Sequence, residues 1–117
     1  MHELARVVSV PSPGGVDIRV SGDIDLSNLD RLTGEVVAAV SAFGEPAGGE
    51  VAIDLSEVGH FGSAGLRLLD AASGAAQEAG AAFRVVVPLD APSRRVIEIA
   101  GVAAYLRLDP PGPAERA

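Results

Sequence analysis

The 117-residue chain has no cysteine and no tryptophan, and its aromatic content stops at three Phe and one Tyr. All nine of its basic residues are arginine, so lysine is missing as well. Each absence excludes something. Without cysteine no disulfide can form, so nothing argues for secretion, and a reducing cytoplasm is the expected location. Without lysine the phosphate-cradling GxxxxGK[ST] loop cannot be built. Two histidines, at positions 2 and 60, give no zinc-ligand spacing. No apolar run approaches the roughly 18 residues of a membrane span, and Met1-His2-Glu3 is not the basic start of a leader peptide. The net charge of −7 argues against partners that present phosphate backbones or anionic membranes. With so few aromatics the core must be built from Val, Leu, Ile and Ala.

What is present is organised around residues 51–69, VAIDLSEVGHFGSAGLRLL. Val51, Ala52, Ile53 and Leu55 suit a strand buried on both faces. Gly59 and Gly62 tighten the chain, and Ser63 stands where a helix can begin. Beyond it Gly65, Leu66, Leu69, Ala72, Ser73 and Ala76 recur at helical spacing, with Arg67, Asp70, Gly74, Gln77 and Glu78 on the opposite face. Ser63 has two readings. As an N-cap its oxygen would accept from an orphan backbone N–H. As a phosphoacceptor it would place an added charge of about −1.5 to −2 against free N–H groups at the positive helix end. Periodicity does not choose between them.

The flanking segments supply a single α/β domain with no internal repeat. Residues 4–10 read as a first strand, 11–15 as turn chemistry, and 16–20 as a half-buried second strand in an antiparallel hairpin. A first helix follows, with Ser27 as its expected cap and Leu29, Leu32, Val36, Ala39, Val40 and Phe43 as its apolar stripe; Gly44 ends it. Residues 45–50 read as a connection and 83–87 as a β-branched strand. A third helix starts at Pro92 and stops at Gly101, with Val96 and Ile99 turned to the core and Ile97 and Ala100 beside them. Residues 105–108 supply a last short strand. The domain thus spans 1–108, and the tail 109–117 lacks apolar anchoring and is expected to be disordered. The order β-β-α-β-α-β-α-β predicts a mixed sheet of four or five strands, its leading hairpin antiparallel and its later strands parallel, with three main helices.

Catalytic and metal chemistry find little support. Ser63, His60 and Asp54 do not make a hydrolase, because the nucleophile-elbow pattern needs glycine where Phe61 stands. Asp23 and Asp25 fit a solvated strand edge or helix cap better than a metal pair. Arg94 and Arg95 fit a solvated helix face. The small residues of the second helix serve equally for close approach of a partner backbone and for packing on the sheet.

The run Ile53-Asp54-Leu55-Ser56-Glu57-Val58 followed by Phe61-Gly62-Ser63-Ala64-Gly65-Leu66 resembles the signature of STAS domains, the anti-sigma factor antagonist family. Gly22-Asp23-Ile24-Asp25 resembles the family's Gly-Glu-Leu-Asp element, and residues 92–106 its closing helix and strand. The resemblance implies a bacterial regulator that acts by binding, without catalysis or a cofactor of its own. Its partner would be an anti-sigma factor that is also a serine kinase and holds its own ATP. Ser63 matches the phosphorylated serine. Asp23, Asp25, Gly62, Ala64, Gly65 and Arg67 would border the partner face. One departure is Gly62, where many members carry Asp. That substitution keeps an alternative open: a non-switching STAS subunit of an ABC-type lipid or solute transport complex.

Overall fold

The computed structural model describes residues 5–42, 49–101 and 107–111. Eight elements follow in chain order: β1 (Arg6–Ser12), β2 (Gly15–Gly22), α1 (Leu29–Ala42), β3 (Glu50–Val58), α2 (Gly62–Glu78), β4 (Ala82–Val86), α3 (Pro92–Ile99) and β5 (Leu108–Asp109). They build one five-stranded sheet in the order β1-β2-β3-β4-β5. β1 and β2 are antiparallel and every later pairing is parallel, as the alternation of strands and helices requires.

β3 is central because it can be buried on both sides. Val51, Ala52, Ile53 and Leu55 are all inaccessible, with Val85 and Val86 of β4 beside them. The helices share one core with one face of this sheet: Ile18, Val20, Ile53, Leu55 and Val85 meet Leu32, Val36, Leu68, Leu69 and Ile97. Fully burying side chains of this size contributes about 1.5–3 kcal/mol each, so aliphatic packing replaces the aromatic core that the chain cannot build. The other face carries charge. Arg84 bridges Glu50 (2.9 Å) and Asp109 (3.5 Å), and Arg107 reaches the same two acids at 3.3 and 3.2 Å, which ties β3 to β5 across β4.

Several local expectations are corrected. Pro11 and Ser12 continue β1, so the hairpin turns tightly at Pro13-Gly14 alone. Glu50 opens β3 and anchors the ion-pair network, so it is no part of a loose connection. In α3 the buried side belongs to Ser93 and Ile97, while Ile99 is 74 % exposed and Ala100 faces solvent. Short helices show too few turns for periodicity to choose between adjacent apolar residues. Phe43, Gly44, Tyr105 and Leu106 lie outside the described residues.

One irregularity positions everything downstream. Arg19 pairs with Asp54, but the next pair is Ser21 with Glu57, so β3 carries one residue more than β2 between them. The Ser56 N–H turns onto Asp54 Oδ1 at 2.8 Å. After this bulge Val58, not Glu57, returns to the core, and the end of β3 is brought alongside Gly22 at the end of β2.

Candidate functional site

At the carboxyl ends of β2 and β3 two loops are joined by backbone. Gly59 N–H donates to the Gly22 carbonyl at 3.1 Å, and Ile24 N–H donates to the His60 carbonyl at 2.8 Å. His60 N–H in turn donates to Asp23 Oδ1 at 2.8 Å. Ile24 is fully buried beneath, so the β2–α1 loop is nailed down by one apolar side chain and two main-chain bonds. Asp23 is therefore a fastener between the loops.

The start of α1 is closed by its own side chains. Asp25 N–H donates to Asn28 Oδ1 at 3.0 Å and Asn28 N–H returns to Asp25 Oδ1 at 3.2 Å, a reciprocal capping arrangement. Asp25 Oδ1 also accepts the Ser27 N–H and the Ser27 hydroxyl. Asp25 thus takes the capping role expected of Ser27, and the Ser27 hydroxyl serves the carboxylate instead of the helix. That hydroxyl bond is the main reason the Asp25 carboxyl titrates below its ordinary range. Some desolvation opposes it, while the N–H groups of Ser27 and Asn28 and the nearby His60 add to it.

The start of α2 is built differently. Its N-cap position is Phe61, which has no side-chain oxygen to offer and is buried in the core. The Phe61 carbonyl accepts Gly65 N–H at 2.8 Å, and its ring lies so close to Gly65 that any β-carbon there would overlap it. Gly62, the first helical residue, has φ +54°, a left-handed conformation that costs other L-residues energy. Ser63 is the second helical residue and is exposed. It does not cap the helix, so the capping reading of this serine is set aside. The first-turn N–H groups have no intrahelical acceptor and stand at the positive end of the dipole, beside the exposed Ser63.

Of the other residues expected on a partner face, Asp25 and Arg67 are exposed and Asp23 and Gly62 are half-buried. Ala64 and Gly65 turn inward among the core side chains and shape the helix start from below. His60 has no role assigned by residue pattern; the partners of its main chain place it between the loops. A Ser63–His60–Asp54 relay is not assembled, because Asp54 holds the Ser56 N–H within β3, before the turn. Among the described residues no three acidic or histidine side chains converge as metal ligands, and no helix is long and apolar enough to cross a membrane. A separate cavity of about 550 Å³ opens where Arg19, Asp54, Ser56, Leu89 and Pro111 meet; Ser56 Oγ is buried without a hydrogen-bond partner.

This fold, with a serine at the open start of the helix after the central strand, defines a known class. The family model described as "Mlab, STAS domain" matches residues 10–108, and the chain belongs to the STAS family. Among solved structures it is similar to an anti-sigma factor antagonist from Mycobacterium paratuberculosis, with 27% identity, 97% of this chain and 96% of that one covered, and a TM-score of 0.75. It also shares its fold with the anti-sigma factor antagonist SpoIIAA in its unphosphorylated form, at 12% identity, 97% and 92% coverage and a TM-score of 0.71. The phosphorylated form of the Bacillus cell fate determinant SpoIIAA aligns at 12% identity, 97% and 96% coverage and a TM-score of 0.65. Among curated protein sequences no match was found.

Proposed function

We propose that this chain is an anti-sigma factor antagonist whose capture of an anti-sigma factor kinase is switched off by phosphorylation of Ser63. The observation that carries the reading is the exposed Ser63 in the first turn of α2, whose N-cap offers no side-chain oxygen. The partner supplies ATP; its γ-phosphoryl group passes to Ser63 Oγ, the hydroxyl proton leaves, and ADP remains on the partner. The product gains a dianionic group where free N–H groups can receive it, so α2 need not unfold to accommodate the change. The same charge, added at the centre of a contact face already bearing Asp23 and Asp25, weakens binding by repulsion and desolvation.

Gly62 supports a second reading, a STAS scaffold in an ABC-type transport complex, since a constitutive subunit needs no charged side chain before the serine. One experiment separates the two. The wild-type chain, Ser63→Ala and Ser63→Asp are used to capture partners from the native cell, with mass spectrometry of the captured proteins and of Ser63. The switch requires a kinase-like partner retained by Ser63→Ala and lost at least about tenfold by Ser63→Asp, a difference of about 1.4 kcal/mol. Equal capture by both variants refutes the switch, and an ATPase or permease in the captured set establishes the scaffold.

A further inference from the structure

His60 is an exposed residue on a fixed backbone. Its carbonyl and its N–H are both engaged by the β2–α1 loop, through Ile24 N–H and Asp23 Oδ1 at 2.8 Å each. Its ring leans the other way. A β-carbon at Gly62 would stand 3.2 Å from His60 Nε2 and 3.7 Å from Cε1, so the imidazole occupies the space that a side chain at position 62 would fill. The next residue is Ser63. Around the ring, the β2–α1 loop contributes Asp23, whose Oδ1 is committed to the His60 main chain, and Asp25, whose carboxylate feels the His60 charge. On α2, Ser63 follows Gly62 directly and Arg67 lies one turn further along the helix.

We propose that His60 is a working member of the Ser63 site: its imidazolium is the counter-charge of the phosphorylated serine, so that phosphorylation is coupled to proton uptake at His60. This rests on Ser63 being the phosphoacceptor. Imidazole side chains change charge between about pH 5 and 8, and a phosphoserine loses its second proton near pH 6. An imidazolium and a phosphate dianion each favour the charged form of the other. The phosphorylated form binds the His60 proton more tightly than the unmodified form does. By reciprocity, the proton favours the phosphorylated form to the same extent. Position 62 bears on this pairing because a β-carbon there would stand 3.2 Å from Nε2, so the ring would have to give by a few tenths of an ångström.

The test needs no partner protein. The chain has two histidines, so the imidazole Cε1–H signals in proton NMR number two, with His2 as the internal control. Full-length wild type, Ser63→Asp, Ser63→Glu and Asp25→Asn are titrated from pH 5 to 9. The His60 midpoint should rise by about half a unit in at least one of the two Ser63 variants and fall in Asp25→Asn, with His2 unmoved. The chain phosphorylated at Ser63 should show a larger rise than either mimic. A His60 midpoint that stays within about 0.1 unit of wild type in both Ser63 variants and in the phosphorylated chain overturns the proposal. That result would leave the capture experiment with Ser63→Ala and Ser63→Asp untouched, so the two ideas fail separately.

Discussion

The two helices that start at the carboxyl ends of β2 and β3 solve the same problem in opposite ways. At α1, Asp25, Ser27 and Asn28 fold their polar side chains back onto the chain, and the turn that leads into the helix is satisfied from within. At α2, Phe61 occupies the capping position and Ser63 points outward, so the first turn is held by apolar packing from below and left electrostatically open above. The difference teaches where such a domain can accept a modification. A closed helix start has no vacancy for an added anion, whereas an open one has both the donors and the room. The loops lie side by side, joined through Ile24, His60 and Asp23, so the closed start also serves as the wall against which the open one is set.

The comparison breaks most sharply at Phe61. If apolar packing holds the start of α2, Phe61→Ala should cost about 3–5 kcal/mol in urea unfolding, the range for a buried aromatic; a cost below about 1 kcal/mol would mean that the open start is held by something else. Gly62→Asp comes next. Its left-handed φ makes any other residue costly by about 1–2 kcal/mol, with Asp among the better tolerated, and a β-carbon there stands 3.2 Å from His60 Nε2, so the ring must give slightly. We expect wild-type Ser63 to be phosphorylated slowly, and Gly62→Asp to speed phosphate incorporation by the cognate kinase in spite of its lower stability. Equal rates would sever position 62 from the transfer step.

Acid probes the closed start. Because the Asp25 carboxyl is shifted downward in the folded chain, its contribution is full above its unfolded value of 3.8 and is lost as pH falls through the lower folded value. Amide exchange at Ser27 and Asn28 should therefore accelerate below about pH 4 relative to that at mid-helix positions of α1, and Asp25→Ala should abolish the dependence. The smallest effect is the most diagnostic of the contrast. Ser63→Ala should change stability by no more than about 0.5 kcal/mol, since the hydroxyl makes no cap; a loss near 1 kcal/mol would restore the capping role to Ser63.

Much of this arrangement was legible from residue types alone. The doubly buried run 51–55 could hardly be anything but a central strand, and the small residues after Ser63 marked a helix pressed onto the sheet. Strand direction, antiparallel in the leading hairpin and parallel afterwards, followed from the alternation of elements. The capping assignment at Ser27 did not survive because serine, aspartate and asparagine all cap well, and three of them between positions 25 and 28 compete; at Ser63 the capping reading fails because the helix begins one residue earlier, behind Phe61. The winner is decided by where Ile24 is buried and how Asn28 reaches the Asp23 carbonyl, at 2.8 Å, which are facts of tertiary structure. His60 was illegible for the same reason. Its significance lies in main-chain bonds to a loop 36 residues away (60 against 24), and no local pattern encodes them.

The additional residue in β3 between Asp54 and Glu57 can be seen as a phase shifter. A strand counts its side chains in twos, and one residue out of step hands every later position to the other face. Without the shift, Glu57 would enter the core in place of Val58, and Gly59 and His60 would reach the end of β2 one step too late to bond Gly22 and Ile24. The serine lies seven positions after Ser56, yet its outward placement is inherited from that half-step. Transplanting the Ser63 loop onto another sheet would therefore carry its geometry only if the bulge travelled with it.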